Sequence, residues 1–399
     1  MIYEFYFRIY KFTGNKQFSL FLSRVIYSIY LLKFTVKRIF RNKRIVSMDF
    51  GEAIKTVNNV YQKPETESID NYKNPTINES KDLSIVIPVY NKKNLVHQCI
   101  DSVLNQNTTY TYEIIIVDDG STDGAREVVL SYKGVPGVKI LLQDNQGIAG
   151  ARNLGIDSAD GIYLMFIDCD DYVYEDMVQT MLDEAYKHSC DMVMCGHNLS
   201  KESNGKVYQI IPYIYPVNNL FKYQHEYEIL NYAGLPWGKV YKRSLWNSVR
   251  FLKGYWFEDT IIQWLLFPQC KTFSYIPKVE YEYRWYADNF SKVQGRNSNP
   301  KSIDRYWMLT DIVSKYINMG LETNAMFYTL LLKHLSSFYY SNISGLDSKL
   351  IDALFVLARE LLVKYRPITE YKLPYMLQLT EKALIQGDIN LWILTSQYQ

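Results

Sequence analysis

Carboxylates crowd the segment FIDCDDYVYED, residues 166–176, where five Asp or Glu side chains follow an apolar run. Asp168 and Asp170 have the spacing D-x-D, which at a strand end directs both side chains to one side of the chain. Their repulsion is costly without a cation, and oxygen ligands favour Mg²⁺ or Mn²⁺. Alternatively, Asp170 and Asp171 cap the loop or helix that follows. The pattern leaves a metal site and a local cap open.

The segment VDDGSTDG, residues 117–124, places Asp119 next to Gly120 and close to Gly124. By itself it predicts a turn followed by a helix cap. A carboxylate at such a position is also a selective acceptor for a hydrogen bond from a nucleobase or a ribose. Both interpretations of Asp119 stay open at this point.

Glycines also mark NQGIAGARNLGIDSADG, residues 145–161, where Arg152 stands near the start of a predicted helix. The glycines permit close backbone approach, and the free N–H groups of a helix start favour an anion. The segment lacks the G-x-G-x-x-G pattern of dinucleotide sites and the G-K-[ST] of a P-loop. An NAD-dependent enzyme and a P-loop ATPase are therefore disfavoured.

A further acidic pair lies in WFEDT, residues 256–260, directly before an apolar stretch. A helix cap at this position would explain both Glu258 and Asp259. The alternative is that Asp259 acts as a general base and deprotonates an acceptor hydroxyl.

The elements that must position these residues alternate, from Leu83 onward, between short apolar runs and amphipathic stretches. The runs LSIVIPV, EIIIVD, VKILL and GIYLMFID are rich in β-branched residues, and the stretches between them have helical spacing. This alternation predicts an α/β domain over residues 82–296 with a largely parallel sheet. Ligands bind such sheets at the carboxyl ends of the strands, where residues 88–91, 118–123 and 168–171 fall.

Residues 1–50 form a basic amphipathic segment, with ten Lys or Arg against Glu4 and Asp49. Charges such as Arg24 and Lys33 interrupt its apolar positions, so the pattern predicts neither a membrane-spanning helix nor a secretory signal. A basic helix of this kind either lies in the headgroup layer of an anionic membrane or packs on protein.

Two other regions are distinguished by composition. Residues 51–81 have few large apolar side chains and contain two prolines, which predicts a linker. Residues 297–399 are helical in character, with Met308–Leu332 and Leu346–Tyr365 as the clearest segments.

Overall composition narrows the class of protein. Hydrophobic residues make up 48% of the 399 residues and charged residues 22%, the profile of a globular chain. The five cysteines form no C-x-x-C pair and mostly lie in apolar runs, which predicts reduced core thiols in a cytosolic compartment. Positive charge is concentrated in residues 1–50 and the remainder is mildly acidic, which argues against nucleic-acid binding.

Six segments follow one another between about Leu83 and about Ser291: SIVIPVYN, IIIVDDGSTDG, NQGIAGARNLGI, ADGIYLMFIDCDD, LPWGKVYKRSLW and WFEDT. In this order they resemble the successive motifs of family 2 glycosyltransferases with the GT-A fold. The resemblance implies a Rossmann-like mixed sheet flanked by helices. It also implies a nucleotide-diphosphate sugar as donor, with a UDP-sugar expected, a divalent metal, and transfer with inversion at the anomeric carbon.

The resemblance also implies roles for single residues. Asp259 matches the catalytic base of the family, and Asp170 with Asp168 would hold Mn²⁺ or Mg²⁺. The donor-binding set comprises Pro88, Val89, Tyr90, Asn91, Asp119, Arg152, Asp168, Cys169, Lys239 and Arg284. Within this set Asp119 would bind uracil or ribose, and Lys239 and Arg284 would contact phosphate.

The expected protein is a hexosyltransferase-type enzyme at the inner face of the cell membrane, which glycosylates a hydroxyl of a surface glycan or of its lipid-linked precursor. One alternative acceptor is a polyprenyl phosphate, whose own charge makes a base at Asp259 dispensable. A second alternative is a non-catalytic, membrane-tethered glycan-binding or scaffold protein. Nucleotidyl transfer is disfavoured because PVYNKKN, after the first strand, lacks glycine.

Two uses of residues outside these motifs stay open. Trp237, Trp256 and Trp285 either line an acceptor groove or fill the core. The helices beyond Pro300 are candidate contacts for a homo-oligomer.

Overall fold

The structure is a computed structural model of the 399-residue chain. It describes residues 9, 16–65, 80–203, 205–214, 221–222, 234–286, 289, 298–367 and 371–398. The chain divides into two compact units. One comprises Met1–Lys63, Gln294–Thr310 and Thr323–Gln399, and the other comprises Pro64–Val293 and Asp311–Glu322.

The second unit contains a ten-stranded mixed sheet. Its strands are β1 Lys81–Val89, β2 Tyr112–Asp119, β3 Val138–Gln143, β4 Gly161–Phe166, β5 Tyr172–Val173, β6 Met192–Ser203, β7 Lys206–Tyr213, β8 Phe221–Lys222, β9 Lys239–Lys242 and β10 Thr272–Trp285. The strand order is β3-β2-β1-β4-β9-β6-β10-β5, with β7 paired to β6 and β8 to β10.

The first four strands are all parallel, as the alternating pattern predicts. β1 and β2 are buried along nearly their whole length, because helices cover both faces of the sheet. β9 is antiparallel to both β4 and β6 and joins the parallel half to the rest. The mixed sheet flanked by helices that the sequence implies is therefore confirmed.

One glycine locks the parallel strands at their start. A Cβ on Gly161 would lie 2.4 Å from the backbone nitrogen of Ser84, so no larger residue fits there. The Gly161 N–H donates to Ser84 Oγ (2.8 Å), and this hydroxyl donates to Glu113 (2.6 Å). These bonds fix β4 against β1 and β2, and with them the positions of the strand ends.

The helices of the sheet unit follow the strands. They are α3 Val96–Leu104, α4 Ala125–Leu130, α5 Gly147–Asp157 and α6 Met177–His188, and the other unit contributes α1 Lys16–Phe40 and α2 Phe50–Asn58. Beyond residue 300 the helices are α7 Asp304–Asn318, α8 Ala325–His334, α9 Ser337–Ile343, α10 Ser348–Lys364, α11 Tyr375–Ile385 and α12 Ile389–Gln397. The predicted single helix Met308–Leu332 is interrupted, because Gly320 ends α7 with a φ of 69°.

Part of the expected linker is helical. The N-cap Asp49 accepts a hydrogen bond from the Glu52 backbone N–H (2.8 Å) at the start of α2. Ala53 and Val57 are fully buried one turn apart. These small apolar side chains are enough to pack the helix, although the lack of large apolar side chains predicted a linker. Residues 66–79 of the expected linker lie outside the described residues.

The N-terminal helix also differs from expectation. Gln17–Phe40 is long and apolar enough, by length and composition, to cross a membrane, although the sequence interpretation argued against a spanning segment. The isolated charges Arg24 and Lys33 do not outweigh the Leu, Ile, Val and Phe residues around them. Core helices of soluble proteins and signal sequences meet the same criterion, so length and composition alone do not determine whether this helix crosses a membrane.

Candidate active site

The loop after β1 is tied to the loop after β2. Asn91 and Lys92 have φ values of 58° and 75°, in the left-handed region that is costly for residues other than glycine. The Asn91 backbone N–H donates to Ser121 Oγ (2.8 Å), and Asn91 Oδ1 accepts from the Thr122 N–H (2.9 Å). This clamp leaves Tyr90 with an exposed ring directly after the buried Pro88 and Val89.

Asp119, the last residue of β2, is a buried acceptor. Its Oδ1 accepts from Gln143 Nε2 (2.5 Å) and from the Gln146 backbone N–H (2.8 Å). Its Oδ2 has no hydrogen-bond partner among the described residues. Burial raises the pKa of Asp119 above its ordinary value, although both bonds lower it. One desolvated oxygen is therefore left for a donor group.

Arg152, on α5, links two distant carboxylates. Its Nη2 donates to Asp168 Oδ1 (2.8 Å) and its Nη1 to Glu258 Oε1 (2.7 Å). The guanidinium is 2% exposed and lies 5.2 Å from the Phe251 ring centre. Burial works against its charge, but Asp168 and Glu258 raise the pKa of Arg152 above its ordinary value. Arg152 thus stays charged while holding both acids in place.

Glu258 and Asp259 occupy a short 3₁₀ turn, Glu258–Thr260, preceded by Phe257 at a φ of 65°. The side chain of Glu258 is engaged by Arg152, so it does not serve the cap that the sequence also allowed. Burial raises the pKa of Glu258, and the ion pair with Arg152 opposes that rise. Asp259 is half-buried, and its charge acts on both Arg152 and Lys239.

The three aspartates after β4 have separate environments. Asp170 accepts from the Tyr286 hydroxyl (2.5 Å) and lies 3.9 Å from Lys92 Nζ. Burial and the neighbouring charge of Asp168 raise the pKa of Asp170. A carboxylate with this environment is stabilised by any cation that reaches it.

Asp171 and Cys169 point into the protein. Asp171 accepts from the Tyr281 hydroxyl (2.7 Å) and from the Arg284 backbone N–H (2.9 Å). Burial raises the pKa of Asp171 well above its ordinary value. Cys169 belongs to the hydrophobic core, and burial raises the pKa of its thiol. All five cysteines are buried free thiols, as predicted.

The two predicted phosphate-binding cations each have a protein partner other than the Arg152 ion pairs. Lys239 is fully buried, its Nζ donates to the Leu235 carbonyl (2.6 Å), and burial lowers its pKa to about 7. Arg284 forms a two-pronged ion pair with Glu202 at 2.6 and 2.9 Å. The contact of either residue with phosphate stays a prediction.

The tryptophans divide between core and half-buried positions. Trp237 is 5% exposed and stacks on Tyr281 and Tyr283, with ring centres 4.5 and 5.3 Å apart, so it fills the core. Trp256 and Trp285 are half-buried.

Three partners of the site were not found by sequence reasoning. They are Tyr286 on Asp170, Tyr281 on Asp171, and Glu258 as an anchor of Arg152. Only the adjacency of Glu258 to Asp259 gave a signal, since nothing in the spacing of the tyrosines connects them with the aspartates. Within the described ranges no group of three or more His, Cys, Asp or Glu side chains is placed to hold a metal ion.

The chain is similar in sequence and in fold to known proteins. Residues 84–249 match the model of the family described as Glycosyl transferase family 2. The chain is 27% identical over 262 residues to glycosyltransferase GlyA of Streptococcus pneumoniae, an alignment that covers 63% of this chain and 37% of that protein. It is 33% identical over 190 residues to GlyG of the same organism, covering 44% and 62%.

A third relative is the uncharacterized glycosyltransferase EpsJ of Bacillus subtilis, 33% identical over 179 residues, which covers 43% of this chain and 50% of that protein. The chain thus spans between 37% and 62% of the lengths of these relatives. Among solved structures, S. aureus TarS 1–349 matches with a TM-score of 0.58 at 17% identity, covering 79% of this chain and 90% of that one. This likeness shows the same fold. Residues 84–249 are thus similar in sequence to glycosyl transferase family 2.

Proposed function

We propose that this chain is an inverting, metal-dependent glycosyltransferase that moves a sugar from a UDP-sugar to a hydroxyl of a surface glycan or of its lipid-linked precursor. The observation that carries the proposal is the bridge from Arg152 to Asp168 and Glu258, with Asp259 beside it, at the carboxyl edge of the parallel strands. TarS 1–349 has also been solved in complex with UDP-GlcNAc, and it has the same fold.

Asp119 is the residue that would select a uracil nucleotide as the sugar donor. Its Oδ2, buried and without a protein partner among the described residues, accepts the N–H of uracil or a ribose hydroxyl. A buried acceptor rejects a ligand without that donor, because the acceptor would then stay unpaired. Cytosine presents an acceptor where uracil presents its N–H, so UDP-sugars are preferred to CMP-sugars.

The residues around Asp170 fit a hard divalent ion. Asp170 and Asp168 supply two carboxylates, and Mg²⁺ or Mn²⁺ ordinarily completes its shell with diphosphate oxygens and water. Burial and the charge of Asp168 raise the pKa of Asp170, and a nearby cation would favour its ionised form. Asp170 and Asp168 would hold the ion, which would supply neutralisation of the charge on the departing diphosphate. Arg152 keeps Asp168 oriented.

Asp259 is the candidate base. Inverting transfer is a single displacement, so it needs a base on the acceptor hydroxyl and no enzyme nucleophile. Glu258 is bonded to Arg152, and we assign proton transfer to Asp259, the other acid of this turn. The charge of Asp259 raises the pKa of both Arg152 and Lys239, so the three groups lie close enough to interact.

The test is nucleotide release by the full chain from a panel of UDP-, GDP- and CMP-sugars with Mn²⁺. One UDP-sugar should release UDP, and Asp170→Ala should reduce the rate by about 100-fold. Asp176→Ala removes a nearby exposed acid whose partner is Lys278, and it should retain activity. If the chain releases nucleotide from none of the donors and binds none of them, the proposal is refuted and a non-catalytic scaffold is favoured.

A second experiment separates the acceptor classes. A hydroxyl acceptor must lose its proton, whereas a polyprenyl phosphate is already an anion. Asp259→Asn should therefore abolish transfer to a glycan hydroxyl. Full activity of Asp259→Asn would instead identify a polyprenyl phosphate acceptor.

A further inference from the structure

Helix α1 exposes a continuous apolar face. Its members share one side of the helix and are between 38% and 81% exposed; they are Phe21, Val25, Ile29, Leu32, Val36, Ile39 and Phe40. At 3.6 residues per turn these seven positions fall within an arc of roughly 100°, the width of a buried helix face in a globular protein. We call this set the apolar stripe. Exposed apolar patches of this extent mark interaction sites.

The opposite face of α1 is already used. Phe34 is fully buried and packs with Met376, Leu394 and Tyr398. Its ring centre lies 5.4 Å from that of Tyr398, and the Tyr30 ring lies 4.6 Å from the same tyrosine. A helix that crossed a bilayer would have to leave these contacts. The helix therefore presents one free apolar side rather than an apolar surface all round.

Cations border the apolar stripe on both sides. Lys33 and Lys37 follow one edge of the arc, and Arg24 and Arg38 follow the other. Helix α1 contains no Asp or Glu. Arg24, Lys33 and Lys37 have no carboxylate partner within the part of the chain that the structure describes. The long stems of Lys and Arg let the charges reach outward beside the apolar stripe.

We infer that the apolar stripe lies in the headgroup layer of an anionic lipid bilayer, with the axis of α1 parallel to the membrane plane. One apolar face flanked by cations is the arrangement of an interfacial helix. Lys37 lies over the Tyr398 ring and Arg38 donates to the Tyr375 hydroxyl, but neither cation is neutralised by a carboxylate among the described residues. Each cation at the surface of an anionic leaflet adds to the attraction. A second copy of the chain on the same face would bring like charges together, which disfavours self-association through α1.

The test uses the full chain without detergent and two kinds of vesicle, phosphatidylcholine alone and phosphatidylcholine with about one-third phosphatidylglycerol. Binding should be about tenfold stronger to the anionic vesicles and should weaken in about 0.5 M NaCl. The double variant Ile29→Glu with Val36→Glu should lose binding by more than about tenfold. Val363→Glu is the matched control, since Val363 is 50% exposed on α10 and should leave binding unchanged.

Three results would overturn the inference. The first is vesicle binding by the double variant at the level of the parent chain, with thermal unfolding confirming that the variant is folded. The second is a dimer of the parent chain that the double variant dissociates while vesicle binding persists, which would identify a second copy as the occupant. The third is retention in the membrane during high-pH extraction, which would identify a spanning helix.

Discussion

Replacing Arg152 by Met removes a cation that contacts two carboxylates inside the sheet unit. The guanidinium is 2% exposed, and the side chains of Asp168 and Glu258 are 22% and 11% exposed. Met fills much of the same space without charge. The variant therefore isolates the electrostatic role of Arg152 from its packing on Phe251.

Breaking a buried ion pair from one side costs about 3–5 kcal/mol, because the remaining charge has no compensation. Asp168 is exposed enough to be partly hydrated, so most of the lost stability comes from the stranded charge of Glu258. The loss should therefore be that of one broken buried ion pair and not of two. At roughly 2–4 °C per kcal/mol for a unit of this size, the melting temperature should fall by about 6–20 °C. Adding Glu258→Gln should recover part of the loss by removing the stranded charge.

The deficit should depend on pH. Burial already raises the pKa of Glu258, and without Arg152 nothing in the ion pair opposes that rise, so the folded-state pKa of Glu258 lies further above its unfolded value. Such groups contribute stability that is present below the unfolded pKa and lost as pH rises through the folded pKa. The unfolding free energy of Arg152→Met should therefore be closest to that of the parent protein near about pH 5. The difference between them should be largest near about pH 8.

Thermal unfolding of the parent, the single variant and the double variant at several pH values measures these terms. Arg366→Met is a matched control, because Arg366 is 51% exposed and pairs with Glu381 at 3.2 Å on the surface. Its loss should be under about 1 kcal/mol. A deficit for Arg152→Met no larger than that of the control, or one that is the same at low and high pH, would refute the argument.

Three further variants test other parts of the site. Asp119→Asn should raise the KM for the UDP-sugar by about tenfold or more, because the donor loses a charged hydrogen-bond acceptor. The melting temperature should stay nearly constant, because the cost of burying the Asp119 charge is also removed. An unchanged KM would contradict this. Tyr281→Phe should lower the unfolding free energy by about 1.5–3 kcal/mol, because buried Asp171 loses a donor, and a loss below about 0.5 kcal/mol would speak against that bond. Relative to Lys239→Met, the parent should gain stability as pH rises above about 7, because the unfolded lysine still holds its proton there; parallel stability curves would contradict the lowered pKa of Lys239.

The sheet and the strand ends were predictable from sequence because they depend on local pattern. Apolar runs fix β1, β2 and β4, and parallel pairing then brings Asp119 and Asp168 to one edge. β9 was not predicted, since its four residues, inside WGKVYK, are too few to show a period.

The partners within the site were not predictable, because they depend on contacts between distant residues. The bond from Arg152 to Glu258 spans 106 residues and that from Tyr286 to Asp170 spans 116. The first also depends on the turn at Phe257, whose positive φ no local propensity favours. In each case the chain must already be folded before the two side chains can meet.

The most direct measurement of the central claim is equilibrium binding of UDP to the full chain by calorimetry, with and without Mn²⁺, for the parent and for Asp170→Asn. The account predicts that Mn²⁺ strengthens UDP binding to the parent by about tenfold or more and has little effect on the variant. UDP binding that is equally strong with and without Mn²⁺ in both proteins would contradict the assignment of Asp170. Absence of UDP binding under every condition would contradict the donor site itself.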